Sequence, residues 1–344
     1  MHQFLNTLFV MTPNAYIHLE SETLRIDVER EKKMQVPIHH IGSVVCFGDV
    51  MLSPAVMHRC ADDGRSVVLL DRNGRFKARL EGPVSGNILL RQAQFKMADN
   101  AGFALDTAKA VIAGKLRNAR QVLLRGAREA AEEKDIGLLS RAADSLAISI
   151  RNIPTADNLD TLRGIEGDAA KTYFSALNHM IRWEAREAFA MDGRSRRPPR
   201  DRFNALLSFI YSMVMNDCRS ALESVGLDPQ LGFLHAMRPG RAALALDLME
   251  EFRAILADRL VLTLINRGQV NEKDFLDRPG GAVHLQDDAR KTVVVAYQER
   301  KQEEVTHPLL DTKAPIGLLP HLQARFLART IRGEMEGYLP FLIK

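Results

Sequence analysis

Two stretches carry side chains whose types and spacing could do chemistry. The first is Gly232–Arg253, GFLHAMRPGRAALALDLMEEFR. His235 precedes a segment of helical periodicity, and Asp247 and Glu250, three apart in that segment, share one helix face, with Glu251 beside them. The turn Met237-Arg238-Pro239-Gly240 can bring the imidazole back towards the first helical turns. One imidazole and one or two convergent carboxylates suit a divalent cation. Taken alone, the stretch favours a plainer reading, a solvated charged face with Arg241 and Arg253 as neighbours and Glu251 towards solvent.

The second stretch is LRGIEGDAAKTYF around Glu166. A helix is expected to follow Glu166, and a carboxylate near a helix N-terminus is favoured by the dipole alone. The flanking Gly164 and Gly167 also permit close approach of another backbone or a ligand, which leaves open a role for Glu166 as a third metal ligand. Basic residues lie nearby in sequence: Arg238, Arg241, Arg253 and Arg259. The segment DGRSRRPPRDR at 192–202 adds Arg194, Arg196, Arg197 and Arg200. It reads as an exposed, mobile loop. The guanidinium fork suits phosphate oxygens, and solubility or helix pairing explains any single arginine equally well. Tyr173, Tyr211 and Trp183 could stack on splayed bases, although packing in a core is the simpler reading for each.

The elements that must position these residues fall into two groups. Up to about residue 80 the chain reads as short strands: LFVMT, AYIHL, LRIDVE, QVPIHHIGSVVCF and SVVLLD. One helix interrupts them, with Ser53 as its cap, Pro54 at its first position and Gly64 at its end. DRNG at 71–74 is a turn, and Gly82-Pro83-Val84-Ser85-Gly86 is the linker candidate. Helical periodicity dominates thereafter, with one apolar stripe through Ala245, Leu248, Met249, Phe252, Ile255 and Leu256. The loop 277–288 is Gly/Pro-marked, and the run after it reads as helix in its second half. The expected architecture is α+β: a β-rich, sandwich-like domain over 1–84 and an all-α domain over 85–344.

The bulk properties narrow the function classes. The chain has 344 residues, 46% apolar and 26% charged, which fits a soluble protein of two domains. Its net charge of +4 and pI near 9.0 permit a polyanionic partner. Three scattered cysteines exclude a disulfide framework or zinc finger, and a reducing cytoplasm is the expected compartment. MHQFLNTLFV lacks the apolar core of a signal peptide, and no stretch is apolar enough to cross a membrane. GxxxxGK[ST], GxGxxG, GxSxG and HExxH are absent, which argues against nucleotide hydrolysis, dinucleotide redox chemistry and serine-hydrolase chemistry.

Glu166 in LRGIEGDAA, His235 in GFLHAMRPGR and the segment LALDLMEEFR, in this order, resemble the CRISPR-associated integrase nuclease family, which inserts new spacers into CRISPR arrays. RPPRDRFNALLSFIYSMV, LLDRNGRFKARL, YQERKQEEVTHPLL and GYLPFLIK extend the resemblance over almost the whole chain and are similar to its type I-C branch. The resemblance implies Glu166, His235 and Glu250 as ligands of Mg²⁺ or Mn²⁺, with Glu250 where some members carry Asp and Asp247 at a further acidic position of the site. It implies a homodimer formed through the β-domains, a small ferredoxin-like partner protein, and double-stranded DNA, both protospacer and repeat. It also implies a reaction in which a DNA 3′-hydroxyl attacks a phosphodiester at a repeat end. Arg238 is the candidate for neutralising that phosphate, and Arg241, Arg194, Arg196, Arg197 and Arg200 are the candidate DNA contacts. Two other readings stay open: a branched-DNA or general nuclease using the same site, and a non-enzymatic helical DNA-binding scaffold.

Overall fold

The structure, a computed structural model, describes residues 6–72, 74, 76–80, 82 and 88–343. The expected linker, Gly82 apart, and Asn73 of the expected turn lie outside the described residues, as do the first five residues. The chain divides into two compact units, Met1–Ser85 and Gly86–Lys344.

The first unit holds β1 (Thr7–Val10), β2 (Tyr16–Glu20), β3 (Thr23–Val28), β4 (Glu31–Pro37), β5 (Ser43–Phe47), β6 (Met51–Leu52), α1 (Pro54–Asp62), β7 (Ser66–Leu70) and β8 (Phe76–Leu80). They form two four-stranded sheets, β1-β5-β7-β8 and β4-β3-β2-β6. One core takes side chains from both, Val44 and Val67 from the first and Ile17 and Leu24 from the second. SVVCF and SVVLL are nearly continuous apolar runs because β5 and β7 are inner strands joined in parallel, and such strands are buried on both faces. The crossover between them is α1. Its Ser53 hydroxyl accepts from Val56 N at 3.3 Å, Pro54 opens it, and Gly64 follows its end at φ +66°.

The second unit opens with α2 (Ile88–Asp99), α3 (Ala101–Glu129), α4 (Glu133–Asn152), α5 (Leu159–Leu177), α6 (Trp183–Phe189), α7 (Arg202–Ser224) and α8 (Ala243–Met249). A π-helical turn, Arg253–Asp258, leads into α9 (Arg259–Asn266). β9 (Phe275–Arg278), β10 (Ala282–Leu285), α10 (Asp287–Gln302), β11 (Glu304–His307), β12 (Thr312–Pro315) and α11 (Leu319–Ile331) complete it. The unit is therefore not all α. The expected loop 277–288 forms most of a hairpin, with Phe275 opposite Leu285 and a turn at Gly280 and Gly281, both at positive φ. Strands of four residues carry too little alternation to stand out between glycines and prolines. The helix expected in only the second half of the following run occupies Asp287–Gln302 entire.

The broken geometry around residue 250 matters most for the site. A single amphipathic helix was expected through 245–256, but α8 ends at Met249 and the π-helical turn follows. The segment is buried on every side, so the stripe does not separate a wet face from a dry one. Residues five apart in an α-helix point about 140° from each other, whereas π geometry stacks them. Arg253 and Asp258 consequently both reach Tyr211: the Arg253 guanidinium lies 5.1 Å over its ring, and Asp258 Oδ1 accepts its hydroxyl at 2.8 Å.

Candidate active site

Asp247 sits in the last turn of α8, 2% exposed, and organises the loop before the helix. Its Oδ2 accepts from Phe233 N at 2.7 Å and Leu234 N at 3.0 Å. Its Oδ1 accepts from His235 N at 3.0 Å and His235 Nδ1 at 2.6 Å. A carboxylate can only accept, so Nδ1 carries a proton towards Asp247, and in the neutral imidazole the lone pair lies on Nε2. Nε2 faces Glu250 Oε1 at 3.7 Å. Gly232 makes this packing possible, because a Cβ there would lie 2.6 Å from Asp247 Oδ2 and 2.8 Å from the carbonyl carbon of Ala243.

Glu250 is 3% exposed at the C-terminal end of α8. Arg253 pairs with its Oε1 at 2.9 Å, and its Oε2 faces only the Lys115 ammonium, 2.8 Å away. Burial opposes ionisation of Glu250, but Arg253, Lys115 and His235 outweigh it and hold its pKa at about 2. Lys115, on α3, also pairs with Glu166 Oε1. Glu166 lies in the middle of α5, not at an N-terminus, so the helix dipole does not account for it. Asn158 caps that helix, accepting from Asp160 N at 3.0 Å and Thr161 N at 2.8 Å. Gly164 and Gly167 are helical and face open space.

Glu166, His235 and Glu250 thus converge from three elements, with Lys115 Nζ between the carboxylates. Among the described residues no three His, Cys, Asp or Glu side chains are close enough to hold a metal ion as placed. The donor set nevertheless fits a divalent cation. It comprises two carboxylates and an imidazole nitrogen, and one buried carboxylate oxygen, Glu250 Oε2, faces the Lys115 ammonium and has no other ion-pair or hydrogen-bond partner among the described residues.

The solvated-face reading does not hold, since Asp247, Glu250 and Glu251 are all buried. Glu251, expected towards solvent, is 0% exposed. It accepts from the Tyr338 hydroxyl, from Phe341 N at 2.7 Å and from Gln323 Nε2 at 3.0 Å. Burial raises its pKa to about 7 against those three donors. It anchors the C-terminal segment rather than the site.

The arginines divide. Arg238 is exposed, and Arg241 half-buried. Burial most of all, and then the positive Arg238, Arg196 and Arg163, lower the pKa of Arg241 against the Asp247 carboxylate, so these arginines lie within electrostatic reach of one another. Arg196, Arg197 and Arg200 are exposed. Arg194 is not with them. It donates to Ser195 O, to Asn204 Oδ1 at 2.6 Å and to Ser208 Oγ at 3.1 Å, and lies 5.3 Å over the Tyr211 ring. Burial lowers its pKa to about 10. Tyr173 and Tyr211 are packed inside, both donating to Asp258, whereas Trp183 is 73% exposed and not in a core.

Three residues had escaped the reading of the sequence. Lys115 carries no local signal, because its partners are distant in the chain. Arg163, which donates to Leu234 O at 2.7 Å and so braces the His235 loop, and Asp258, which takes the hydroxyls of Tyr173 and Tyr211, likewise have partners far along the chain.

The two-sheet unit followed by a largely helical unit is a fold that solved structures share. The chain overlays on part of a "Cas6-RT-Cas1--Cas2 complex" with a TM-score of 0.83 at 22% identity, covering 99% of this chain and 36% of that one. It overlays on a "Casposase bound to integration product" with a TM-score of 0.82 at 22% identity, covering 97% and 92%. The sequence profile of "CRISPR associated protein Cas1" matches residues 8–299. "CRISPR-associated endonuclease Cas1 1" of Moorella thermoacetica is 57% identical over the full length of both chains. This chain belongs to the Cas1 family.

Proposed function

We propose that this chain is a divalent-metal-dependent DNA integrase of CRISPR adaptation. It joins the 3′-hydroxyl ends of protospacer DNA to a CRISPR repeat by transesterification. The observation that carries this reading is the convergence of Glu166, His235 and Glu250 beside a rim of arginines, in a chain of this family. The curated relative's name supports a nuclease, and the casposase likeness agrees with strand joining.

Glu166, His235 Nε2 and Glu250 would hold Mg²⁺ or Mn²⁺. Once bound, the ion would supply Lewis acidity, polarising a phosphodiester and lowering the pKa of the attacking hydroxyl. Asp247 fixes the His235 tautomer so that Nε2 stays a donor of electrons. Arg253 keeps Glu250 ionised inside the protein. Arg238, Arg241 and Arg196 draw phosphates to the rim, and the arginine forks suit their oxygens. One P–O bond forms as another breaks, and the proton of the attacking hydroxyl ends on the departing 3′-oxygen. The exchange conserves phosphodiester bonds, so no nucleotide hydrolysis is required, in keeping with the missing P-loop motif. The partners we propose are protospacer and repeat duplexes, a second copy of the chain joined through the β-rich units, and a small ferredoxin-like partner protein. A Cas2 component in the structural neighbour supports that last proposal.

The test supplies supercoiled repeat DNA, protospacer duplex, partner protein and Mn²⁺ and looks for joined products. Joining that disappears in Glu166→Ala, His235→Ala and Glu250→Ala supports the reading. Cutting without joining makes the protein a general nuclease, and a variant that joins at the normal rate loses its place in the ligand set.

A further inference from the structure

The Lys115 ammonium is the feature that the proposed reaction leaves unused. Its side chain is 12% exposed, and it pairs with Glu166 Oε1 and, at 2.8 Å, with Glu250 Oε2. Its backbone is fixed: the adjacent Gly114 packs so closely that a Cβ would lie 2.6 Å from Pro340 Cβ and 3.5 Å from Glu251 Cγ. α3 therefore delivers the ammonium to one place between two carboxylates that would otherwise repel each other at close range.

The charge balance says what this does. Glu166, Glu250 and the Asp247 carboxylate behind His235 are three anions, and Lys115 and Arg253 are two cations, so with a neutral imidazole the cluster carries one net negative charge. A divalent ion added beside a retained ammonium would set like charges against each other in a poorly solvated site, which is costly. The same ion replacing the ammonium balances the three carboxylates and Arg253 without that repulsion.

We infer that Lys115 is a built-in counter-ion that holds the metal-free site assembled and is exchanged for the divalent ion on loading, so that it sets the affinity of the site for metal. The inference rests on the metal-site reading above. It makes Lys115 a positioning residue that competes with the cofactor, distinct from a ligand and from a residue that merely braces the fold.

Three measurements on the full chain test it. Mn²⁺ titration followed by electron paramagnetic resonance should show wild type binding about one ion per site and Lys115→Met binding it more tightly by on the order of tenfold, because a competing cation has been removed. Thermal unfolding should show Lys115→Met less stable than wild type in chelator, with most of the difference erased by saturating Mn²⁺. Amine-reactive labelling read by mass spectrometry should find Lys115 protected in chelator and exposed with Mn²⁺. Unchanged or weaker Mn²⁺ binding by a folded Lys115→Met overturns the inference, as does labelling of Lys115 that ignores Mn²⁺. The labelling uses wild type only and decides the matter if the variant fails to fold. If wild type binds no Mn²⁺ that His235→Ala loses, the metal-site reading itself has failed, and the two failures are distinguishable.

Discussion

One oxygen of Asp247 holds His235 twice, by the backbone N–H at 3.0 Å and by Nδ1 at 2.6 Å, while the other oxygen takes the N–H groups of Phe233 and Leu234. All four donors point at a carboxylate that is almost wholly buried. Asp247→Asn keeps the volume but turns an NH₂ towards two of those donors. An orphaned buried donor costs about 1–3 kcal/mol, so the variant should lose stability of that order in chelator and bind Mn²⁺ more weakly, because His235 loses its fixed tautomer. Wild-type unfolding and Mn²⁺ titration curves from the variant would remove Asp247 from this role.

Glycines on either side of the site should respond in opposite senses. Gly232→Ala places a Cβ 2.6 Å from Asp247 Oδ2 and 2.9 Å from Leu244 N. Neither can withdraw, so the overpacking should cost about 1–3 kcal/mol. Gly164→Ala, in the interior of α5 with nothing within 4 Å of the added Cβ, should instead stabilise by about 0.5–1 kcal/mol. Denaturant unfolding of the two variants checks both signs, and a destabilised Gly164→Ala would show that this glycine is kept for something that approaches it.

These glycines show how far the sequence could be read. The cap of α1 was legible because Ser53, Pro54 and Gly64 are local signals whose effects reach only a turn. The shared face of Asp247 and Glu250 was likewise a matter of spacing within one segment. Glu251 was misjudged because an apolar stripe says which face is buried but not that the charged face is buried too, and its partners Gln323, Tyr338 and Phe341 lie far along the chain. Lys115 was invisible for the same reason. The π-helical turn that brings Arg253 and Asp258 to one ring has no sequence period of its own, and a 3.6-residue pattern runs straight through it.

The pH profile should carry the signature of Asp258. Burial, the largest influence, raises its pKa to about 6 from an ordinary 3.8, against the Tyr211 and Tyr173 hydroxyls and the positive Arg253. The folded chain holds this proton more tightly than the unfolded one, so the stabilisation is complete below about pH 4 and lost as the pH rises through about 6. The two-unit shift corresponds to about 3 kcal/mol at most. Asp258→Asn lacks that titration. Between pH 4 and 7 the stability of wild type should fall relative to the variant, and parallel profiles would contradict the assignment.

The arginines should separate into two kinds when DNA binding is measured against salt. Arg196, Arg238 and Arg241 belong to one electropositive rim, in which burial and like-charged neighbours already lower the pKa of Arg241. A phosphate placed there relieves that repulsion. Changing any one of them to alanine should weaken duplex binding without regard to sequence and reduce the slope of log affinity against log salt by about 1. Arg194 is committed elsewhere, its guanidinium bonded to Asn204 and Ser208 and stacked on Tyr211. Arg194→Ala should leave the salt slope unchanged and lower the unfolding temperature, because it uncovers Tyr211 and leaves Asn204 Oδ1 with Ser195 N as its remaining donor. A reduced slope for Arg194→Ala at unchanged stability would instead put this residue on the DNA and require the 192–202 segment to open when the duplex binds.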